Sequence, residues 1–341
     1  MFITILLLVN GASSNIGIRG GATEILFGNV LISDDFTLLI KIVPLLSALL
    51  SIVIALDYIK GQKINSFEYI ILILFPTLAM TFLVSSYDLI SMYPAIELQS
   101  LSFYVIAAFQ RNDEFSAEAG LKYFVLGALS SGLLLFGESI VYGFTGITNF
   151  EELSKLFTGF ATAPDTVLLQ GGFSFSEERG GMEWIQPMEP GAPLAESIPL
   201  APFAGIIMGL LFMPVAFLFK IGAVPFHMWT PDVYEGAPKS VTAFFAITPK
   251  IAVLGLLLRL CLHTFYDSIA SWQQIILIRA LLSMFLGTFG AINQNKIKRL
   301  FAYSSIAHVG YLLIGLGTGT IAATESLLVY IIIYIITATG T

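Results

Sequence analysis

Glu97, Lys220 and Lys250 are ionisable side chains set well inside stretches of otherwise apolar residues. An ionised group at the centre of a bilayer costs about 2.5–3.5 kcal/mol on insertion scales, so those that persist there face other helices and work. A buried carboxyl without a partner stays neutral, whereas beside a lysine of another helix both groups keep their charge. Such a pair is a proton switch, because stretching or closing it changes how readily the ammonium gives up its proton. The same pair is also compatible with a static salt bridge that locks two helices together. Spacing alone leaves both readings open.

His227 and His308 add imidazoles at depth, and their near-neutral pKa suits them to relay protons. His227 follows Lys220 by seven residues, two helical turns, which puts both on one face of a continuous helix. Directly after Lys220 comes Gly222-Ala-Val-Pro225. Proline removes an amide donor and glycine loosens a helix, so a broken helix is expected near 220–228. Irregular backbone inside a membrane is tolerated where it is buried in protein or lines a hydrated cavity. Pro249, immediately before Lys250, is placed to distort its helix in the same way. Pro76, Pro94 and Pro214 have no adjacent charge and read as packing kinks. Lys122 is shallow, and Lys41, Arg259 and Arg279 lie near helix ends, where a long stem lets the charged head snorkel to the interface.

The elements that must hold these groups follow from composition. Of 341 residues, 56% are apolar and 11% charged, with a mean hydropathy of +0.86, which places the chain in lipid. Past residue 36 it divides into nine apolar stretches of spanning length, approximately 37–59, 67–86, 88–109, 119–143, 203–228, 240–262, 273–293, 299–318 and 323–339. Helices satisfy every amide at that depth, and the ten-residue alternation of a barrel is missing. The expected class is therefore an all-α polytopic membrane protein. Residues 1–36 begin with an apolar run too short to span and continue polar and glycine-rich, as in a short interfacial or re-entrant segment.

Loops alternate between two faces. The first carries Lys60, Lys63, Arg111, Lys239, Lys296, Lys298 and Arg299, the second Lys155 and Arg179. That asymmetry makes the first face cytoplasmic or matrix-side. Residues 144–202 form the one long hydrophilic insertion, with eight acids against two bases and prolines at 164, 187, 190, 193 and 199. Such a segment reads as an exposed loop or a docking arm for a neighbouring subunit rather than a packed domain. The net charge of −7 gives no surface for nucleic acid. Cys261 is the sole cysteine, which excludes an internal disulfide, a Cys-x-x-Cys pair and a four-thiolate cluster. Any redox cofactor of its system must then sit on another chain.

Five runs carry a resemblance: Tyr93-Pro-Ala-Ile-Glu97-Leu-Gln-Ser-Leu101, Glu118-Ala-Gly-Leu-Lys122-Tyr123, Phe219-Lys220-Ile-Gly-Ala-Val-Pro225-Phe-His227-Met-Trp-Thr-Pro-Asp-Val-Tyr-Glu-Gly-Ala-Pro238, Thr248-Pro-Lys250-Ile251, and Ile297-Lys298-Arg-Leu-Phe-Ala-Tyr-Ser-Ser-Ile-Ala-His308-Val-Gly-Tyr311. Together, over about residues 60–340 outside the insertion, they resemble the antiporter-like subunit 2 of respiratory complex I, most of all its mitochondrially encoded forms. The resemblance implies a proton-pumping membrane-arm subunit in the mitochondrial inner membrane, with flavin, iron–sulfur clusters and ubiquinone on other subunits and no cofactor of its own. It places a carboxylate–lysine pair on Glu97 and Lys220, a relay lysine on Lys250, and further members of the polar axis on Lys122 and His308. It also implies an antiporter-like bundle of two inverted five-helix repeats, the first complete here and the second only in part. The remaining helices are then expected on a separate chain. The alternatives are a stand-alone cation/proton antiporter and a scaffold subunit that keeps its charges only as salt bridges.

Overall fold

The computed structural model describes residues 23–62, 66–110, 112–162, 173–176, 181–184 and 201–340. Residues 1–22, Lys63, Arg111, Arg179 and most of the acidic insertion lie outside the described residues. The nine predicted spans appear as helices α1 (Asp35–Gln62), α2 (Ser66–Ser85), α3 (Leu89–Ala107), α4 (Glu114–Thr145), α6 (Ala201–Ile221), α8 (Lys239–Arg259), α9 (Ile269–Ile292), α10 (Ile297–Gly317) and α11 (Ile321–Gly340). By length and composition seven are able to cross a membrane; α6 and α11 contribute the shorter apolar stretches Gly205–Ile221 and Ala322–Ala338. Two short helices, α5 (Phe150–Thr162) and α7 (Trp229–Gly236), stand between them, and two two-stranded antiparallel hairpins, β1–β2 (Glu24–Leu26, Leu31–Ser33) and β3–β4 (Phe173–Ser176, Gly181–Trp184), lie in the connections.

Aspartates start three of the helices. Asp34 Oδ1 accepts from Thr37 N (2.8 Å) while Thr37 Oγ1 accepts from Asp34 N (2.9 Å), a reciprocal cap that satisfies two amides before α1. Asp88 caps α3 through Ile90 N (2.7 Å), and Asp113 caps α4 through Phe115 N (3.2 Å). The helices then pack by close approach. Gly137 on α4 and Gly209 on α6 face each other, and a Cβ on either would sit 2.9 or 2.8 Å from the other's carbonyl oxygen. Small residues at such crossings allow the backbone contact that holds helices together in lipid. The span Lys239–Thr264, built on α8, is 83% buried and contacts α1, α2, α6 and α11, which makes it the central helix.

Four readings of the sequence differ from the structure here. The fifth span stops at Ile221 rather than running to 228, because Gly222 takes a left-handed φ of +77°. Its amide donates to Phe219 O (3.0 Å) and Ala223 N donates to Leu218 O (2.9 Å), the glycine-terminated arrangement that ends helices. Pro249 does not break α8, which runs continuously from Lys239 to Arg259. The start of the acidic insertion is packed rather than exposed: α5 buries Phe150, Leu153, Leu156 and Phe157, with Phe157 edge-on to Phe265. The heavy charge of the whole segment hid this amphipathic helix. Residues 24–33, within the N-terminal segment, form the β1–β2 hairpin, for which the sequence offered no strand alternation.

Candidate functional site

The helix break builds the site. Beyond Gly222 the chain turns through a cis Val224-Pro225 bond into α7, and its exposed polar groups find side-chain partners. Val224 N donates to Ser283 Oγ (2.9 Å) and Trp229 Nε1 donates to Phe219 O (2.8 Å). The break thus holds Lys220 at the last turn of α6 without leaving these backbone groups unmet, as buried amides require.

Lys220 is 4% exposed. Its Nζ donates to Ser100 Oγ on α3 (2.6 Å) and to Ser131 Oγ on α4 (3.3 Å), and lies 6.0 Å from the centre of the Tyr104 ring. Glu97 stands one turn from Ser100 on α3, within electrostatic reach of Lys220. The expected contact ion pair is not formed. Among the described residues no ion pair of Glu97 is found within 4.0 Å, its Oε1 is buried without a hydrogen-bond partner, and the Ser100 hydroxyl holds the ammonium instead.

Lys250 is 1% exposed and donates to Ser305 Oγ on α10. Its ammonium lies 5.5 Å from the Tyr234 ring centre. Ser305 also accepts from Tyr334 Oη on α11 (3.5 Å), whose stronger bond goes to Ala246 O (2.8 Å). His308, one turn beyond Ser305 and within electrostatic reach of Lys250, pairs its Nδ1 with Tyr330 Oη (2.7 Å) and lies 5.3 Å from the Tyr334 ring. Between the two lysines runs a chain of aromatic contacts: Tyr104 to Tyr123 (4.9 Å), Tyr123 stacked on Trp229 (4.5 Å), and Trp229 to Tyr234 (6.5 Å). Each end of this chain carries one of the ammonium groups.

Two predicted members lie elsewhere. His227 shares no face with Lys220, since the break at Gly222 ends the periodicity on which that expectation rested. It lines an apolar groove with Val224, Leu282, Phe285 and Tyr303. Lys122 is 43% exposed and pairs with Glu118 (2.7 Å) and Asp232 (2.8 Å). It belongs to a ring of charge at the end of the bundle, where Arg299 meets Asp232 (2.5 Å) and Glu235 (2.8 Å) and Lys296 meets Glu235, around a cleft of about 260 Å³. Burial alone would push the Asp232 carboxyl up, but hydrogen bonds and charge from Lys122 and Arg299 hold it below the usual carboxylate range. The ring joins α4, α7 and α10.

The basic residues near helix ends also find partners. Arg259, expected to snorkel, is 8% exposed and forks onto both oxygens of Asp34 (3.0 and 2.9 Å). Arg279 lies 5.5 Å from the Phe226 ring centre. Reading for charge alone missed Ser100, Ser131, Ser305 and Tyr334, the neutral hydroxyls that hold the ammonium groups, and it missed Glu138. The signal for Glu138 was present, a lone carboxylate inside an apolar helix. Among the described residues no group of three or more His, Cys, Asp or Glu side chains is placed to hold a metal ion.

Buried amines on either side of a helix break, in a bundle of apolar helices long enough to cross a membrane, define a polytopic membrane protein with ionisable groups in its interior. The sequence assigns it further. Residues 86–176 and 197–341 match the family described as NADH:quinone oxidoreductase/Mrp antiporter, TM, and the chain belongs to that family. It is similar to NADH-ubiquinone oxidoreductase chain 2 of Marchantia polymorpha, with 51% identity covering 98% of this chain and 60% of that protein. It is also similar to NADH-quinone oxidoreductase subunit N of Rhodospirillum rubrum, with 43% identity covering 98% and 61%. The fold is similar to a chain of respiratory complex I from Thermus thermophilus with bound Aureothin, at TM-score 0.67 and 28% identity, covering 98% of this chain and 63% of that one. A chain of the Mrp complex from Dietzia sp. shares the fold at TM-score 0.71 and 16% identity, covering 99% and 57%. The chain thus spans about three fifths of the length of the relatives it matches.

Proposed function

We propose that this chain is a proton-translocating membrane-arm subunit of an NADH:quinone oxidoreductase in the mitochondrial inner membrane, with its basic face toward the matrix. The observation that carries the reading is the pair of buried lysines: Lys220 and Lys250 are held by serine hydroxyls, with no contact carboxylate among the described residues to fix them as static salt bridges. Other membrane-arm subunits flank it, and flavin, clusters and quinone reside on other chains of the complex. This chain's own part is to bind and pass protons. Ser100 accepts from Lys220 Nζ (2.6 Å) while its own proton goes to Ile96 O (2.6 Å), so the Glu97 carboxylate on the same helix acts on the ammonium across the intervening space. A small movement of α3 or α6, driven by quinone reduction elsewhere, thereby changes how strongly the ammonium form of Lys220 is stabilised. A proton that Lys220 releases is taken up beyond the aromatic chain by Lys250, and Ser305 and His308 carry it on. Burial makes the amines responsive, because their charge is opposed by the apolar surroundings and sustained only by these few partners.

The test is Lys220→Met in the assembled complex. Coupled quinone reductase turnover should slow and proton release should fall further still, lowering the number of protons released per electron, while assembly and NADH oxidation by a soluble acceptor persist. An unchanged ratio of protons to electrons refutes the reading. A scaffold predicts instead that neutralising Glu97 and Lys220 together is harmless, and a stand-alone antiporter would not purify with flavin- and cluster-containing subunits.

A further inference from the structure

Glu138, on α4, is 7% exposed, and its Oε1 is buried without a hydrogen-bond partner. No ion pair of this carboxylate is found among the described residues. The charged groups within its reach are themselves acidic. Asp88, the cap of α3, lies within its electrostatic range, and Tyr93 lies within that of both Glu138 and Glu97. The groups around it are spaced along two neighbouring helices. Tyr93, Glu97 and Ser100 recur at spacings of four and three along α3, on one helix face. Glu138 lies two turns from Ser131 on α4, about 10 Å along the axis, and Ser131 is the second hydroxyl that holds Lys220. At the other end, Asp88 takes a hydrogen bond from Thr148 (2.7 Å) in the connection after α4, on the second face of the bundle. Packing has no use for a carboxyl at 138: the helix crossing there is made by Gly137 and Gly209, and an apolar side chain would fill the place without the expense of a desolvated acid.

Resting on the pumping reading above, we propose that Glu138 is a proton-holding group that connects the Glu97–Lys220 centre to the second face at Asp88. A proton taken from water at the Asp88 end forms an O–H bond on the Glu138 carboxylate. That bond breaks as one forms on the Glu97 carboxylate, and the proton then passes to the neutral amine of Lys220, making it an ammonium and restoring both carboxylates. The same bonds serve transfer in the opposite sense.

The experiment compares Glu138→Gln, Glu138→Asp and Lys220→Met in the assembled oxidoreductase, reconstituted in vesicles. Proton release, quinone reductase rate and the infrared C=O band of protonated carboxyls are read for each. E138Q, nearly isosteric, should lose one carboxyl band and slow coupled turnover roughly tenfold or more, within the effect of removing a positioned proton-transfer group. E138D should restore the band and part of the rate, which a purely structural role would not require. If K220M stops pumping while E138Q keeps its rate, stoichiometry and band pattern, the role of Glu138 is overturned and the pumping reading stands. If K220M and E138Q both pump normally, both are overturned. Should E138Q fail to assemble, E138D decides: an intact complex with no carboxyl band sensitive to the 138 substitution overturns the proposal.

Discussion

Asp34→Ala should loosen the packing of α1 on α8 more than any other single change at their junction. The Arg259 side chain is 6% exposed and that of Asp34 22%, so removing the acid strands the more deeply buried charge. Breaking a buried pair in this way costs about 3–5 kcal/mol; the partial exposure of Asp34 reduces that to roughly 2–3, by the solvent screening that weakens exposed pairs. Loss of the cap on Thr37 adds about 1 kcal/mol, giving roughly 3–4 in all. Arg259→Met strands only the better-solvated partner and should cost less, and the double variant should recover most of the loss, leaving about 1 kcal/mol from the cap. The chain supplies its own reporter. Cys261, the sole cysteine, is 3% exposed two residues beyond Arg259, so a thiol-reactive dye labels it when this junction opens on heating. The midpoint should fall most for D34A, less for R259M, and return toward the parent value in the double variant. A double variant as weak as the sum of the two single ones would refute the stranded-charge argument.

Gly222→Ala places a side chain at φ +77°, which costs about 1–2 kcal/mol in backbone strain, and its Cβ would lie 2.7 Å from Thr230 Oγ1. It should lower the labelling midpoint and also slow coupled turnover, because the strain falls at the turn that presents Lys220; unchanged turnover would show that the break serves folding alone. Asp232→Asn should weaken the α4–α7–α10 ring in a pH-dependent way. The Asp232 carboxyl is held below its ordinary value of 3.8, so its contribution is complete above that value and is lost as pH falls toward the lower, folded value. The difference in labelling midpoint between D232N and the parent should therefore be constant from neutral pH to about 4 and shrink below it. A difference that grows on acidification would contradict the assignment.

The sequence made the charges legible because each broke an apolar run. Glu97, Lys220 and Lys250 stood out, and the glycine and proline after Lys220 marked the break. It misled where a one-dimensional rule crossed a three-dimensional event. The seven-residue spacing placed His227 beside Lys220 only while the helix was continuous, and Gly222 ended it. Depth along a helix placed Arg259 near its end but could not supply its partner, Asp34, which lies 225 residues earlier in the chain.

From sequence alone came the class of protein, the approximate positions of the apolar helices, the family, and the identity of the principal titratable groups within them. Those rest on hydropathy, helical length and residue type, which are local properties. Only the tertiary structure decided which groups meet: that Ser100 and Ser131 hold the Lys220 ammonium, that Lys122 joins the ring of charge with Asp232, and that Glu138 is buried without a hydrogen-bond partner for its Oε1. Hydroxyls and lone acids become partners only through the crossing of helices, and the crossings are fixed by close contacts such as that between Gly137 and Gly209, which no local pattern records.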